Sequence, residues 1–576
     1  MAPNRGSDFS GLPANSETFA KLTWPEIEPY FTDLESRHLV GSTLQPWLRD
    51  WTILHALISE SYSRLHVDLA GNTEDESARG RFHDFVEKVY LASQPFETRL
   101  KRKLIDSGMK PELFDRPLEN MKAEADLHRD ENLPLLAEEE KLGSEYDKIV
   151  GAQTVEWDGE EITLSKLSTV YQESDRDRRE EAWRLASERQ LADREAINDL
   201  WTKFMPLRRK LASNAGFDAY RDFRWRQMLR FDYSPADCFR FHEAIEKDVV
   251  PAATAIYEKR RKRLYLAKLR PWDLDVDPLS RKALRPFESA ETLEEKAAAI
   301  FNKVDSELGD YFNVMREEGL LDLANRKGKA PGGFCTFFAA ARKPFIFMNA
   351  VGLHRDVKTL LHEAGHAFHA FEVAALPYHQ QWDYGMEFAE VASMSMELLG
   401  SPFLTDEGGG FYSAQDAARA RTEHLEKIIL FWPYMAVVDA FQHWVYEHHD
   451  AATNPSHCDK KWAELWQRFI PGIDYTGLEQ DLATGWHRKL HIHQIPFYYV
   501  EYGLAQLGAI QVWANSLKDR AAAVASYREA LAKGSAPLRL LYRTAGAEFS
   551  FGGTRLKGAV KLILTTLDQL KAASSH

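Results

Sequence analysis

The chain has 576 residues, a formal net charge of −14 and 12% aromatic residues. This length and aromatic content favour a folded chain with two or more domains over extended disorder. An acidic chain lacks the basic surface that binds phosphates, so nucleic acid is excluded as an expected partner. No run reaches the roughly 18 apolar residues of a membrane span, the first 17 residues contain no hydrophobic signal core, and cysteines are few. We therefore expect a cytoplasmic protein with no membrane partner.

The first half of the chain is predicted to be helical. Between Trp24 and about Leu320, apolar residues recur at steps of three and four within mixed-charge segments, and residues 173–216 are a clear example. Helix follows helix there without an obvious linker. We divide the chain into a region of residues 1–195 and a region of residues 196–576, with a boundary anywhere between residues 175 and 214.

The most convincing strands lie between Gly332 and Met348. Residues 334–338 and 344–348 are rich in β-forming side chains, and a short connection joins them. Gly332 and Gly333 can form a turn or allow another backbone to approach closely. The predicted fold class is therefore mainly α, with one small β-sheet beside the helix that follows.

That helix carries the most informative motif, His362-Glu363-Ala364-Gly365-His366. Residues i and i+4 lie on one face of a helix, so His362 and His366 can both bind one metal ion. Glu363 is then beside the ion, where a carboxylate can accept a proton from metal-bound water. The spacing predicts two zinc ligands and a general base.

A second helix is predicted from Met386 to Gly400, and it carries Glu387, Glu390 and Glu397. Glu390 and Glu397 are two turns apart on one face, whereas a carboxylate at Glu387 is favoured by the helix dipole alone. We expect Glu390 to be the third zinc ligand and Glu397 to hold a ligand imidazole in its tautomer. The alternative is that these glutamates are solvated helix surface.

Together these motifs resemble peptidase family M3, the relatives of thimet oligopeptidase and oligoendopeptidase F. The resemblance rests on HExxH followed downstream by Glu390 in a Phe-x-Glu-x-x-Ser context. Residues 329–335, 344–349 and 491–503 are similar to the oligoendopeptidase branch. The resemblance implies a two-lobed helical clamshell in which residues 1–195 close over a zincin-like catalytic region. A narrow channel would then admit short peptides and exclude folded proteins.

The resemblance also implies an edge strand that pairs with the substrate backbone just before the HExxH helix. The residues at this position, with the two glycines as further backbone contacts, are Phe345, Ile346, Phe347, Met348, Gly332 and Gly333. Ordinary packing of a β-hairpin is the alternative.

A second group of candidate residues follows Lys489, near a helix predicted to start after Pro496. By resemblance, Tyr499 and Tyr502 donate hydrogen bonds to substrate and transition state, and His491 accompanies them. His493 and Tyr498 lie within two residues of these positions, so they are kept as substrate-binding candidates. The alternative is a tyrosine-rich buried helix whose hydroxyls are satisfied internally.

The expected activity is zinc-dependent endopeptidase cleavage of short oligopeptides, with one Zn²⁺ per chain. Glu363 would act as general base and then protonate the leaving amine, while Glu397 and Asp356 orient the ligands. Two rival functions remain. A gluzincin carboxy- or aminopeptidase would need a charged anchor for a substrate terminus. A catalytically inactive peptide-binding protein would not require Glu363. The physiological peptide and the oligomeric state stay open.

Overall fold

The computed structural model describes residues 9–279 and 281–573. The predicted class is confirmed, because helices dominate these residues and the sheets are small. The first helices are α1 (Ser16–Phe19), α2 (Trp24–Ser36), α3 (Gly41–Gly71), α4 (Glu76–Phe85), α5 (Leu91–Asp106), α6 (Asp115–Leu127), α7 (Leu133–Gly151), α8 (Leu164–Leu167), α9 (Arg176–Ala192), α10 (Arg194–Asn214), α11 (Tyr220–Gln227), α12 (Pro235–Asp248) and α13 (Val250–Arg263). The later helices are α14 (Ala290–Val304), α15 (Ser306–Glu317), α16 (His354–Val373), α17 (Met386–Gly400), α18 (Ala414–Glu447), α19 (His449–Ala452), α20 (Pro455–Phe469), α21 (Glu479–Ala483), α22 (Leu490–His493), α23 (Tyr499–Ser516), α24 (Arg520–Leu531), α25 (Leu538–Thr544) and α26 (Gly553–Ala573).

The strands form two small sheets. Strands β1 (Thr154–Trp157) and β2 (Glu160–Thr163) are an antiparallel hairpin. The hairpin lies outside the predicted strand region. Its turn, Asp158-Gly159, has positive φ at both residues, 50° and 84°, as the Asp-Gly hairpin signal requires.

The second sheet has three strands in the order β3-β5-β4. Its members are β3 (Leu321–Ala324), β4 (Phe334–Phe338) and β5 (Lys343–Ala350). Strand β5 is central, parallel to β3 and antiparallel to β4. The predicted hairpin is therefore present, and a third strand joins it from upstream in the chain.

The described chain forms two compact units, each assembled from separated stretches. The first unit contains the residues up to Ala125 together with Arg285–Ala417 and Gly508–Phe549. The second unit contains Asp126–Leu284, Ala418–Leu507 and the residues from Ser550 onward. A single boundary near residue 195 does not describe these units. Each unit combines stretches that are distant in the sequence but in contact in the structure.

Helices α16 and α17 pack closely in the first unit, and Gly365 allows this approach. A Cβ atom at Gly365 would lie 2.5 Å from the Cα of Ser393 and 2.7 Å from the carbonyl oxygen of Ala392. Such distances leave no room for a side chain. The glycine inside the HExxH motif therefore lets the helix that carries Glu390 lie against the helix that carries both histidines.

Helix α18 is the one helix, among the described residues, that is long and apolar enough to cross a membrane. Its most apolar window is 72% buried inside the structure, as expected for a helix in a protein core. This burial gives the apolar residues a partner within the protein. The expected absence of a membrane partner stays a prediction.

Candidate metal centre

Three side chains of the first unit converge in the arrangement of a metal site. His362 and His366 on α16 and Glu390 on α17 each present one ligand atom, and all three atoms lie within 4.8 Å of one another. His362 Nε2 is 3.5 Å from Glu390 Oε2. Two ligand atoms bound about 2.1 Å from a tetrahedral zinc ion are about 3.4 Å apart. The donor set and its spacing therefore fit zinc.

Glu397 contacts the His362 imidazole at Nδ1, the ring nitrogen that does not face Glu390. Its Oε1 is 2.8 Å from His362 Nδ1, and its Oε2 is 3.1 Å from Lys358 Nζ. With Nδ1 as the donor of this hydrogen bond, Nε2 faces Glu390 and is the nitrogen that becomes the ligand once the imidazole has lost its second proton. This is the geometry that the seven-residue spacing of Glu390 and Glu397 predicted.

The carboxylate of Glu390 is also positioned by a neighbour on its own helix. The Ser393 hydroxyl lies 3.1 Å from the Glu390 carbonyl oxygen and 3.3 Å from Glu390 Oε2. The sequence analysis noted this serine only as part of a motif. Its spacing of three residues is the signal that places its hydroxyl beside the carboxylate.

The buried site shifts the pKa values of its titratable groups. Burial raises the pKa of Glu363 to about 7, assisted by the negative charges of Glu390 and Glu397. Burial lowers the pKa of His366 to about 3, so this imidazole is neutral. For His362 burial also lowers the pKa, but the Glu397 hydrogen bond and the surrounding carboxylates outweigh it and raise the pKa to about 9.

Asp356 has a different place from the one predicted. Its Oδ2 accepts hydrogen bonds from the backbone N–H groups of Val351 and Leu353, at 2.8 and 2.9 Å. These contacts cap the start of α16 and satisfy amides that have no partner within the helix. Asp356 therefore fixes where the metal-binding helix begins, and does not hold a ligand imidazole as expected.

The substrate strand was assigned to the wrong member of the sheet. Phe345, Ile346, Phe347 and Met348 belong to β5, which has a neighbour on each side, and all four are buried. A central strand has no free backbone groups for another strand. In the described part of the chain, the edge beside α16 is β4, whose Cys335 amide lies near Glu363 and acts to lower the pKa of that carboxyl.

The two glycines lead directly into this edge strand. Gly332 has φ of +98°, and a Cβ there would meet nothing within 4 Å, so the backbone borders open space. At Gly333 a Cβ would lie 3.3 Å from the Phe347 carbonyl oxygen. Asn349 holds the turn by donating to the Gly332 carbonyl at 3.0 Å. The predicted backbone contacts thus stay compatible with β4 as the pairing strand.

The aromatic candidates form a cluster in the second unit. The ring of His491 lies 4.9 Å from Tyr499, 6.0 Å from Tyr498 and 6.1 Å from Tyr502, centroid to centroid. His491, Tyr498 and Tyr502 are half-buried, whereas Tyr499 is buried. Burial and the charge of Lys489 lower the pKa of His491 to about 4, so its imidazole is neutral.

Comparison with known proteins identifies the family. The sequence profile described as peptidase family M3 matches residues 169–551, more than half of the chain. This chain belongs to peptidase family M3. It is similar to the solved structure of PZ peptidase A with an inhibitor, at 26% identity and a TM-score of 0.85 over 98% of this chain and 99% of that one.

Two further relatives agree with the M3 assignment. A structure from Bacillus anthracis strain Ames, provisionally named oligoendopeptidase F, has the same fold, with 24% identity and a TM-score of 0.81 over 96% of this chain and 98% of that one. Oligopeptidase PepF of Bacillus subtilis strain 168 is 24% identical over 324 residues, which are 54% of this chain. The match spans 46% of that relative's length, about half.

In this M3 chain, His493 is a core residue and not a substrate contact. It is fully buried, and its ring stacks on Tyr146 at 4.4 Å and Trp486 at 5.7 Å. Burial and the nearby Arg208 lower the pKa of His493 to about 3. The prediction that His493 binds substrate is therefore wrong, because its neighbours enclose the whole ring.

Two residues that the sequence analysis did not assign shape the aromatic cluster. Lys489 Nζ donates to the Tyr499 hydroxyl at 3.2 Å. Phe497 has φ of 68°, a left-handed conformation that non-glycine residues adopt at an energetic penalty, and its N–H donates to Gln442 Oε1 at 2.7 Å. This turn delays the start of α23 to Tyr499. The roles predicted for His491, Tyr498, Tyr499 and Tyr502 stay predictions.

Proposed function

We propose that the protein is a zinc-dependent endopeptidase that hydrolyses short peptides in the cytoplasm. The observation that carries the proposal is the group of His362, His366 and Glu390, with Glu363 beside it, in a chain of peptidase family M3. A zinc ion bound there would polarise the scissile carbonyl and acidify a water molecule. Each of the chain's own residues then has a defined task.

The ligands are prepared to receive a cation. His366 is neutral at physiological pH because burial lowers its pKa, so its lone pair is available. His362 is oriented by Glu397, and Glu390 by Ser393. Three protein ligands leave one position of a tetrahedral site open for water or substrate, as in catalytic zinc sites.

Glu363 is suited to move a proton in both directions. A general base works best when its pKa lies near the working pH, and burial raises the pKa of Glu363 to about 7. Its carboxylate accepts the proton of the attacking water. The protonated form then donates the same proton to the departing amine, which restores the carboxylate for another cycle.

The edge strand β4 supports an extended peptide as substrate. Strand addition uses backbone hydrogen bonds, so it binds peptides of many sequences with little demand on their side chains. Strand β4 leads from Gly332 and Gly333 past Cys335, whose amide lies near Glu363. A peptide paired with β4 would present a backbone carbonyl near the base.

The family resemblance implies His491, Tyr499 and Tyr502 as donors for the developing oxyanion, and of these we place His491 and Tyr502 first. His491 is neutral, so one of its nitrogens carries a hydrogen, and the Tyr502 hydroxyl can donate. Tyr499 is the second choice, because its hydroxyl is buried against Lys489. The names of the relatives, oligopeptidase PepF and oligoendopeptidase F, support short peptides as the substrate class.

The decisive experiment is hydrolysis of a short, internally quenched peptide that is blocked at both ends. Wild type and Glu363→Gln are compared, and bound zinc is assayed in each. We expect internal cleavage by wild type and its loss in the variant at unchanged zinc content. The substitution keeps the size of the side chain and removes only its ability to accept the proton.

The result also separates the rival functions. An exopeptidase would leave the blocked peptide intact but would shorten the same peptide with free ends. An inactive peptide-binding protein would bind both peptides and cleave neither. Cleavage of the blocked peptide by Glu363→Gln at the wild-type rate would contradict the role proposed for Glu363.

A further inference from the structure

A second cluster of metal-binding side chains lies in the second unit. Cys238 and His242 are one turn apart on α12, and Asp439 and His443 are one turn apart on α18. One ligand atom each from Cys238, Asp439 and His443 lies within 4.8 Å of the others. These three residues have no exposed surface, and His242 is 3% exposed. Two helices thus bring a thiol, a carboxylate and an imidazole to one enclosed point.

Two buried polar atoms of this cluster have no hydrogen-bond partner within the described residues. These atoms are Oδ1 of Asp439 and Nδ1 of His443. Burying polar groups without partners is costly, and native structures rarely leave several of them together. A bound cation would give the Asp439 carboxylate a further partner.

The spacing within the cluster resembles that of the metal centre described above. His443 Nε2 lies 3.4 Å from Asp439 Oδ2, close to the roughly 3.4 Å expected between two ligands of one tetrahedral zinc ion. His242 Nε2 lies 2.8 Å from the same carboxylate oxygen. As the donor of this hydrogen bond, His242 would orient the carboxylate, as histidine and carboxylate partners of metal ligands commonly do.

The charges of two arginines act on the Cys238 thiol, and each arginine also pairs with a glutamate. Arg221 pairs with Glu447, and Arg230 pairs with Glu501 at 2.6 Å. A thiolate at Cys238 and the carboxylate of Asp439 would add two negative charges, which one divalent cation neutralises.

We propose that Cys238, Asp439 and His443 bind a zinc ion, with His242 orienting the carboxylate. Binding displaces the thiol proton of Cys238 to solvent and joins α12 to α18. Thiolate and imidazole ligands favour zinc or its spectroscopic substitute cobalt over magnesium and calcium. The rings of Phe239 and Phe497 lie 4.7 and 5.2 Å from His443 and cover one side of the proposed site.

The test uses cobalt and the full-length chain. Metal-free wild type is titrated with Co²⁺, and the near-ultraviolet charge-transfer band of thiolate-bound cobalt is recorded together with the metal content. The centre at His362, His366 and Glu390 has no thiolate ligand, so the band reports the second site alone. We expect the band and about two ions per chain, compared with about one ion and no band in Cys238→Ser.

The other two cysteines provide matched controls. Cys458 is also buried in the second unit, where its thiol lies 3.2 Å from the Ala452 carbonyl oxygen, and Cys335 lies in the first unit. Cys458→Ser and Cys335→Ser should both keep the band. His443→Gln should lose it without any change to a thiol.

The wild-type titration keeps the proposal falsifiable if a variant fails to fold. Wild type that binds about one ion per chain and shows no thiolate band would overturn the proposal. So would a band that survives Cys238→Ser. Because the enclosed site shields its ion, we also expect wild type treated with a chelator to lose activity before it loses the band.

Discussion

The two metal-binding clusters are built alike but differ in access. Each uses residues one turn apart on one helix, His362 and His366 in the first unit and Asp439 and His443 in the second, and completes the set from another helix. The histidines of the first cluster are half-buried, whereas the second cluster is fully buried. Glu363, which can move a proton, accompanies only the first. Access and a base of suitable pKa separate a site fitted for hydrolysis from a site fitted for stability.

Of the substitutions that test this difference between the two clusters, we expect the largest effect at Glu363. Glu363→Gln should lower kcat/KM about 10²- to 10⁴-fold, the usual contribution of general acid–base catalysis. Steady-state hydrolysis of the blocked peptide, with metal analysis, measures this loss. Cys238→Ser is the counterpart in the enclosed cluster and should keep kcat/KM near that of wild type. An equal loss of activity in both variants would remove the distinction between the clusters.

The next effect concerns the aromatic cluster. Tyr502→Phe should lower kcat about 10²-fold or more if its hydroxyl stabilises the oxyanion. Tyr499→Phe should have a smaller effect, because that hydroxyl is buried and accepts a hydrogen bond from Lys489. Single-turnover hydrolysis compares the two. A larger loss at Tyr499 would exchange their roles.

Removing the Glu397 carboxylate, which contacts the His362 imidazole, should weaken metal binding at the first site only. Glu397→Gln should lower zinc affinity about 10- to 100-fold, because His362 loses the partner that sets its tautomer. Competition with a chromogenic chelator measures the affinity, and thermal unfolding of the metal-loaded variant controls for folding. Unchanged affinity would mean that Glu397 is a structural partner of Lys358 alone.

The close approach of α16 and α17 can be tested at Gly365. Gly365→Ala should destabilise the protein by about 1–3 kcal/mol, because its Cβ would overlap α17, and should also weaken metal binding. Urea unfolding measures the change in the free energy of unfolding. Gly558→Ala is the control: its Cβ would meet nothing within 4 Å in helix α26, so stability should rise slightly.

The smallest predicted effect is a proton released on metal binding. His362 of the metal-free site is mainly protonated below its pKa of about 9, and a ligand imidazole must be neutral. Zinc therefore displaces this proton near pH 8, where Glu363, with its pKa of about 7, is already ionised. Affinity should rise with pH up to about 9 and then level off.

Calorimetry of Cys238→Ser in buffers with different ionisation enthalpies counts the released protons at the first site alone. About one proton from His362 is expected near pH 8, together with up to one more from water bound to the zinc ion. The absence of proton release at that pH would show that the His362 imidazole is already neutral in the metal-free site.

Much of the metal centre could be predicted from the sequence, because helical periodicity is a local property. The spacing of His362 and His366, and of Glu390 and Glu397, placed each pair on one face, and the second helix begins and ends at the predicted residues. Gly365 lay inside the motif, but only the packed helices show that its missing side chain brings Glu390 to the histidines.

Other features depended on contacts between distant parts of the chain. Strand β3, from upstream in the chain, pairs with β5 and makes it the central strand. The sheet edge beside α16 is therefore β4. Aromatic rings from three other segments enclosed His493, which also could not be read from the sequence around it. Neither outcome follows from local spacing.

The sequence by itself determined the mainly helical class, the family and the likeness of its HExxH segment to a zinc site. Apolar periodicity and motif spacing are local properties, so they can be read from one segment at a time. Tertiary structure alone decided the edge strand, the enclosure of His493 and the meeting of Cys238 with Asp439 and His443. Cys238 and Asp439 are separated by two hundred residues of mostly helical chain. Such pairings arise from the burial of whole helix faces, which no single segment specifies.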